Sequence, residues 1–234
     1  MAHRASLLRS LLLTGLALTP LSVAAQVGAS DTGVFDVRIR GRSVGTEEFN
    51  IQQSGGGSGA EIVANGRVNL VMPSGTLDLT STLRTSGLQA EPVSYEVTIG
   101  GTSPRKIVGS VGGGRFSARI ATPSGEQLRE YVASDGATVL DDGVAHHYYF
   151  LARRMRNGRL PIIVPRDNKQ VMATVRDVGE EQVPVGESTL TLYHLEVQPD
   201  GGELRHVWLD DLGRVIKVEI PSTGYMAVRT EIPA

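Results

Sequence analysis

Along most of the chain, apolar and polar residues alternate one for one. Phe35, Val37 and Ile39 interleave with Asp36, Arg38 and Arg40; Leu77, Leu79 and Leu83 with Asp78, Thr80 and Arg84; Ile216, Val218 and Ile220 with Val215, Lys217 and Glu219. A period of two puts one set on the buried face of a strand and the other toward water. Turn sequences separate the runs. Asn65-Gly66, Asp135-Gly136 and Pro199-Asp200-Gly201-Gly202 read as hairpin turns, because Gly, Asn and Asp tolerate positive φ. Pro73-Ser74-Gly75, Gly112-Gly113-Gly114 and Asp210-Asp211-Leu212-Gly213 are expected to do the same. The pattern predicts about ten to twelve strands joined by short loops, hence mostly antiparallel. Hairpin-to-hairpin order favours a meander: an all-β curved sheet, half-barrel or barrel. Residues 54–59 (Ser-Gly-Gly-Gly-Ser-Gly) are expected to form a flexible connection or long hairpin tip, and residues 30–33 a short mobile lead-in.

One segment breaks the alternation. The stretch from Ala145 onward, His-His-Tyr-Tyr-Phe-Leu-Ala-Arg-Arg-Met, has no turn residues and predicts a short helix over 145–156, ended near Asn157-Gly158. Tyr148, Leu151, Ala152 and Met155 fall at i, i+3, i+4 and i+7, on one face. A single amphipathic helix amid a curved sheet is expected on the concave side, as a lid over apolar surface.

The first 25 residues follow another logic. Arg4 and Arg9 precede an apolar run, Leu11 to Leu18; Pro20 breaks it, and Val23-Ala24-Ala25 offers small residues before Gln26. That order predicts a cleavable signal peptide over 1–25, cut after Ala25 or Ala24, and therefore a periplasmic protein. Residues 26–234 then form a single domain. The chain contains no cysteine, which excludes disulfides, cysteine metal sites and a lipidated N-terminal cysteine. No later stretch has the roughly 18 apolar residues of a membrane helix, so a spanning protein is not expected. Losing Arg4 and Arg9 moves the formal charge from −2 to −4, which disfavours nucleic acid as a partner.

Catalytic and metal chemistry finds little support. His146 and His147 are adjacent, whereas helical metal pairs prefer i, i+4 spacing; one is expected to be partly packed and the other solvated. His194 and His206 flank the turn at 199–202, and one register sets them opposite each other, but two ligands are too few for catalytic zinc. No metal and no cofactor are expected. In Glu47-Glu48, Asp141-Asp142, Glu180-Glu181 and Asp210-Asp211 the two acids would face opposite sides of a strand or shape a turn, so no acid–base dyad is selected. The glycine runs lack the Lys-Ser/Thr of a phosphate loop, and no Gly-x-Ser-x-Gly elbow occurs. A non-catalytic protein is therefore expected. The strongest signal is electrostatic: Arg153, Arg154, Arg156, Arg159, Arg166 and Lys169 follow the helix, opposed only by Asp167. Such a cluster is either a basic mouth for phosphate or carboxylate headgroups, or a solvated face paired with the protein's own acids.

Several stretches carry a resemblance. His147-Tyr-Tyr-Phe-Leu-Ala-Arg-Arg-Met155, Leu160-Pro-Ile-Ile-Val-Pro165, Val207-Trp-Leu-Asp-Asp-Leu-Gly-Arg-Val-Ile-Lys-Val-Glu-Ile-Pro221 and Val44-Gly-Thr-Glu-Glu-Phe-Asn-Ile51 look like a family of uncharacterised exported bacterial proteins. That family is similar in fold to the periplasmic lipoprotein carrier and its outer-membrane receptor, half-barrels whose helix-capped cavity accepts acyl chains. The resemblance implies a half-barrel of about eleven strands here. Its motifs are structural, and no functional residue is carried across.

Two roles follow as expectations. The first is a soluble carrier of a lipid-like ligand or lipoprotein acyl chain. Its candidate lid, mouth and cavity residues are Tyr148, Leu151, Met155, Arg153, Arg154, Arg156, Arg159 and Trp208. The second is a structural or protein-interaction module of the envelope, with its cavity filled and its sheet edges as partner sites. A hydrolase of envelope polymers ranks last.

Overall fold

The computed structural model describes residues 27–72, 75–101, 103–133 and 136–233. The expected signal peptide, residues 1–25, lies outside them. The first half of the chain is eight strands: β1 (Val27–Ile39), β2 (Arg42–Ser54), β3 (Glu61–Met72), β4 (Gly75–Ser86), β5 (Glu91–Ile99), β6 (Arg105–Gly112), β7 (Arg115–Thr122) and β8 (Gly125–Val132). A two-residue β9 (Thr138–Val139) leads to a 3-10 turn at Ala145–His147, which runs directly into α1 (Tyr148–Arg154). Six strands follow: β10 (Gly158–Val164), β11 (Lys169–Val185), β12 (Ser188–Pro199), β13 (Arg205–Leu209), β14 (Val215–Ile220) and β15 (Tyr225–Arg229). The described strands number more than the pattern predicts because β9, β13 and β15 are too short to show a periodicity.

All of these strands belong to one 15-stranded sheet, ordered β8-β7-β6-β5-β4-β3-β2-β1-β15-β14-β13-β12-β11-β10-β9. This is a meander whose two chain ends are joined in the middle. β1 pairs antiparallel with β15, from Phe35 opposite Arg229 to Ile39 opposite Tyr225. Neighbours are antiparallel throughout except β9, which lies parallel to β10. The expected all-β meander with one short helix is therefore observed.

The two ends of the sheet curl back toward each other. Near its end, β8 meets the start of β11: the Gln170 side chain accepts from the Val132 N–H at 3.0 Å and donates to the Val132 C=O at 2.6 Å. The Tyr131 hydroxyl, in turn, donates to Asn168 Oδ1 at 3.0 Å. One side-chain amide thus does the work of a ladder rung where strand pairing stops. The barrel is closed at this corner and left open along the rest of β8.

One apolar cluster draws on both halves of the sheet and on α1. It includes Phe35, Phe49, Ile62, Leu79, Leu83, Tyr95, Ile107, Phe116, Leu160, Ile162, Leu195, Val207 and Val218. α1 sits among them with Tyr148, Tyr149, Phe150, Leu151 and Ala152 all buried. Five consecutive buried residues point in every direction around the axis, and only Arg153 and Arg154 in the last turn are half-buried, so α1 is a plug and not the one-faced lid that its spacing predicts. It also ends earlier than expected. Met155 turns extended, its N–H closing on the Leu151 C=O at 2.9 Å, and Gly158 opens β10 at φ 131°.

Four other expectations are corrected. Residues 30–33 are part of β1, paired with β2, and not a lead-in. Asn65-Gly66 lies in mid-β3, with Gly66 opposite Phe49 on one side and Ser81 on the other. Glycine is required there by packing: a methyl at position 66 would stand 2.3 Å from His146 Cε1. In β14, a bulge sets Lys217 opposite Trp208 but Val215 opposite Leu209. The extra residue flips Ile216 out of the main core into a second cluster with Val183, Val185, Leu192 and Trp208. Trp208 alternates with the core residues Val207 and Leu209, so it lies on the outer face of the sheet and does not line the interior. The tip at 55–59 and the turns at 113–114, 200–202 and 210–213 fall between strands as read, each beginning at or just after a strand end; Pro73, Ser74 and Asp135 of the other two turn sequences lie outside the described residues.

The contact beneath α1 gives a direct test. Gly66→Ala should lower the free energy of unfolding by about 1–3 kcal/mol, since the methyl forces the His146 ring or the β3 backbone to move. Urea denaturation measures this, and an unchanged midpoint would mean that α1 does not press on β3.

Candidate functional site

The densest chemistry lies beneath the start of α1, in the barrel interior. A helix inside an apolar core brings polar backbone ends that need partners. Glu47 supplies them. In β2 it stands in phase with the inward residues Phe49 and Ile51, and it is fully buried. Its carboxylate accepts from the Ala145 N–H at 2.7 Å and the His146 N–H at 2.9 Å, and it meets His146 Nδ1 at 2.7 Å. The negative group therefore sits at the positive end of the helical segment and satisfies two otherwise orphaned donors. The His146 ring is wedged between Phe49, stacked 5.7 Å away, and the bare Gly66 backbone.

Next to it, His147 Nδ1 accepts the Asp141 N–H at 3.2 Å, leaving the proton on Nε2. Burial, helped by His146 and Arg166 nearby, holds the His147 pKa well below the imidazole value, so the ring is neutral. Asp141 takes the Tyr95 hydroxyl at 2.6 Å and lies 2.9 Å from Arg166 Nε. Burial nonetheless raises the Asp141 pKa, against the pull of Arg166 and Tyr95. It raises the Tyr95 pKa more strongly, with the Asp141 charge adding to it. Arg166 donates to the Asp142 carbonyl as well. Arg205, from β13, bridges Asp142 at 2.5 Å and the Tyr148 hydroxyl at 3.1 Å.

Carboxylates, imidazoles, phenols and guanidiniums therefore converge, as in many catalytic sites. Here they are enclosed: His146 and His147 are both buried, not one packed and one solvated as expected. The arrangement anchors a helix from five elements at once. Arg166, from the basic stretch, belongs to this anchor and not to a mouth.

The other expected site residues are scattered. Tyr148 and Leu151 are in the core, and Met155 packs against it. Arg154 donates to the Gly136 and Gln89 carbonyls, closing the sheet edge. Arg159 pairs with Asp200 at 2.6 Å, and Lys169 with Asp167 at 2.9 Å. Arg153 lies over the Tyr149 ring and Arg156 over Tyr193. Of the six bases, Arg153 and Arg156 share a recess, about 290 Å³ with Ala152, Leu212 and Gly213. A larger open groove of about 900 Å³ runs along β1–β4 and the C-terminal tail. Its walls include the polar positions Asn50, Asn65, Thr80 and Thr82.

Sequence reasoning meets Glu47 and Asp141 only as members of acidic pairs that select no dyad, and it does not single out Tyr95 or Arg205. For Glu47 a signal exists: an acid in register with Phe49 and Ile51 is an acid pointing inward. The same phase marks Tyr95, in step with Val97 and Ile99 on β5, and Arg205, in step with Val207 and Leu209 on β13.

The neutral His147 sets a pH dependence. An unfolded chain protonates this ring below pH ~6.5. The unfolded state then binds more protons than the folded one, so stability falls as the pH drops through that value. Asp141, with its raised pKa, acts in the opposite sense and becomes protonated first in the folded state. Between about pH 7.5 and 5.5 the unfolding midpoint should decline. His147→Asn, which keeps an acceptor for the Asp141 N–H but cannot titrate, should flatten the slope. An equal slope in both proteins would contradict the assignment. Glu47→Gln, which removes the charge from three donors, should cost about 3–5 kcal/mol by the same denaturation assay.

No protein-family profile matches the chain, and no curated protein shows significant similarity to it. Among solved structures it is similar to a beta-barrel-like protein of the domain of unknown function DUF1849 from Brucella abortus. The two are 10% identical, with a TM-score of 0.54 over 90% of this chain and 100% of that one. At this identity the likeness concerns the fold alone. It agrees with a barrel-like domain of an uncharacterised kind, as the sequence resemblance implies.

Proposed function

We propose that this chain is an exported, periplasmic, non-catalytic interaction module of the cell envelope. Its barrel is filled by its own helix, and it takes up an extended segment of a protein partner along the free edge of β8. The observation that carries this reading is the burial of Tyr148–Ala152 on all sides of α1, in the space an acyl chain would need. Export is supported by the charged, apolar and small-residue order of the first 25 residues. A non-catalytic role is supported by the enclosure of Glu47, His146, His147 and Asp141, which leaves a substrate no approach. No described helix is long and apolar enough to cross a membrane.

β8 suits such a partner. It is the last strand of the sheet, and among the described residues one side of its backbone is unpaired apart from the Gln170 bridge at Val132. Unpaired edges recruit strands, and β-augmentation uses them. Leu128 is 74% exposed and offers an apolar anchor, while Glu126, Arg129 and Glu130 bias the choice of partner by charge.

A photoreactive residue placed at Leu128 in living cells should yield protein adducts, whereas one at the equally exposed Val71 should not. The purified protein should carry no stoichiometric lipid and bind no fluorescent fatty acid. Bound acyl lipid, with no protein adduct at position 128, would favour the carrier role instead.

A further inference from the structure

The outer face of β12 and β13 holds a second cluster of chemistry, on the side of β13 opposite Arg205 of the buried anchor. His194 and Glu196 alternate along β12 with the core residues Leu195 and Val197, and His206 and Trp208 alternate along β13 with Val207 and Leu209. The register sets His194 opposite Trp208 and Glu196 opposite His206, so the two histidines meet on the diagonal and not face to face. His194 Nε2 lies 2.8 Å from His206 Nδ1. One ligand atom from each of His194, Glu196 and His206 falls within 4.8 Å of the others. Glu196 thus supplies the third ligand that the pair of histidines lacks in the sequence.

The surroundings hold these groups in place. The Trp208 ring stacks on His194 at 4.8 Å and on His206 at 5.8 Å. The other nitrogen of His194, Nδ1, lies 3.1 Å from Glu181 Oε2. Glu181 is itself fixed by the Trp208 indole N–H at 2.9 Å. A carboxylate on the far nitrogen keeps the proton on Nδ1 and turns the Nε2 lone pair toward the cluster. Metal-binding histidines are commonly oriented in this way.

We propose that His194, Glu196 and His206 form a binding site for a divalent transition-metal ion of the Zn²⁺ type, with Glu181 orienting His194 and water in the remaining position. Two imidazoles and one carboxylate suit zinc, copper or nickel better than calcium or magnesium. On binding, the cation replaces the proton shared between the two ring nitrogens, and that proton moves to His206 Nε2. Zinc–ligand distances of about 2.0–2.2 Å need ligand atoms roughly 3.3 Å apart, so the Glu196 carboxylate must swing inward. Its present partner is Arg176, across on β11. Arg176 is therefore the competitor of the metal, and an exposed one.

Calorimetry with ZnCl₂ alone, on the untagged full-length protein, tests the proposal. One saturable equivalent should bind. His194→Ala and His206→Ala should each weaken binding at least ~10-fold, and Glu181→Gln by about 10–100-fold. Arg176→Ala should tighten it, which a merely structural ion pair would not do. Cu²⁺ should quench the emission of Trp208, the single tryptophan, in step with occupancy. Equal affinity in wild type and His206→Ala, or no quenching by stoichiometric copper, would overturn the site. Should the histidine variants fail to fold, Arg176→Ala decides: unchanged or weaker zinc binding overturns it.

Discussion

A single buried carboxylate makes this architecture possible. To fill a barrel with a helix, a protein must bury the polar end of that helix among apolar side chains, and orphaned N–H groups there would each cost about 1–3 kcal/mol. Glu47 meets the Ala145 N–H, the His146 N–H and the His146 ring together. Its own burial is tolerable because these donors surround it. The glycine at 66 follows from the same constraint, since the ring that Glu47 holds occupies the place of a Cβ. Asp141, Tyr95, Arg166 and Arg205 extend the anchor, so that β5, β13 and the segments flanking α1 all hold the plug.

The plug in turn explains how so long a sheet stays curled. Each half presents an apolar inward face that would be wet if the sheet lay open. Packing both faces on α1 brings β8 back to the start of β11, where Gln170 caps the Val132 backbone. Among the described residues most of the β8 edge is unpaired, while the opposite edge, β9, is two residues long and sits against α1. Among the described residues the asymmetry leaves one long free edge, and the proposed interaction surface lies outside a filled barrel. The His194–Glu196–His206 cluster lies on the outside as well, on strands whose inner faces belong to the same core.

Much of this architecture was legible in the chain. Alternation in Phe35–Ile39 and Leu77–Leu83 reports strands because each has one dry face, and Gly112–Gly114 and Pro199–Gly202 report turns because they need positive φ or tight reversal. The failures have physical causes. Asn65-Gly66 carries a turn signature, but its glycine answers a contact with His146, some eighty residues away in sequence. The bulge at Ile216 inverts a regular alternation without changing composition. The spacing of Tyr148, Leu151 and Met155 marks one face of α1, yet Tyr149 and Phe150 cover the other, and their burial depends on the whole sheet wrapping around them. The anchor was harder still, since five of its residues come from separate elements. Phase within a strand points Glu47, Tyr95 and Arg205 inward, but nothing in the sequence shows that they meet beneath α1. The basic stretch dissolves into local pairings with Asp200, Asp167 and Asp141 because the fold sends its members in different directions.

The central claim is that α1 is a permanent plug and not a lid. Native-state hydrogen exchange at the Ala145, His146 and Phe150–Ala152 amides tests it most directly. A plug should exchange only through global unfolding, with the same free energy as the core of β3 and β4, and acyl chains should not change that. Exchange of these amides through a low-energy opening while β3 and β4 stay protected, or faster exchange when a fatty acid is added, would contradict the account.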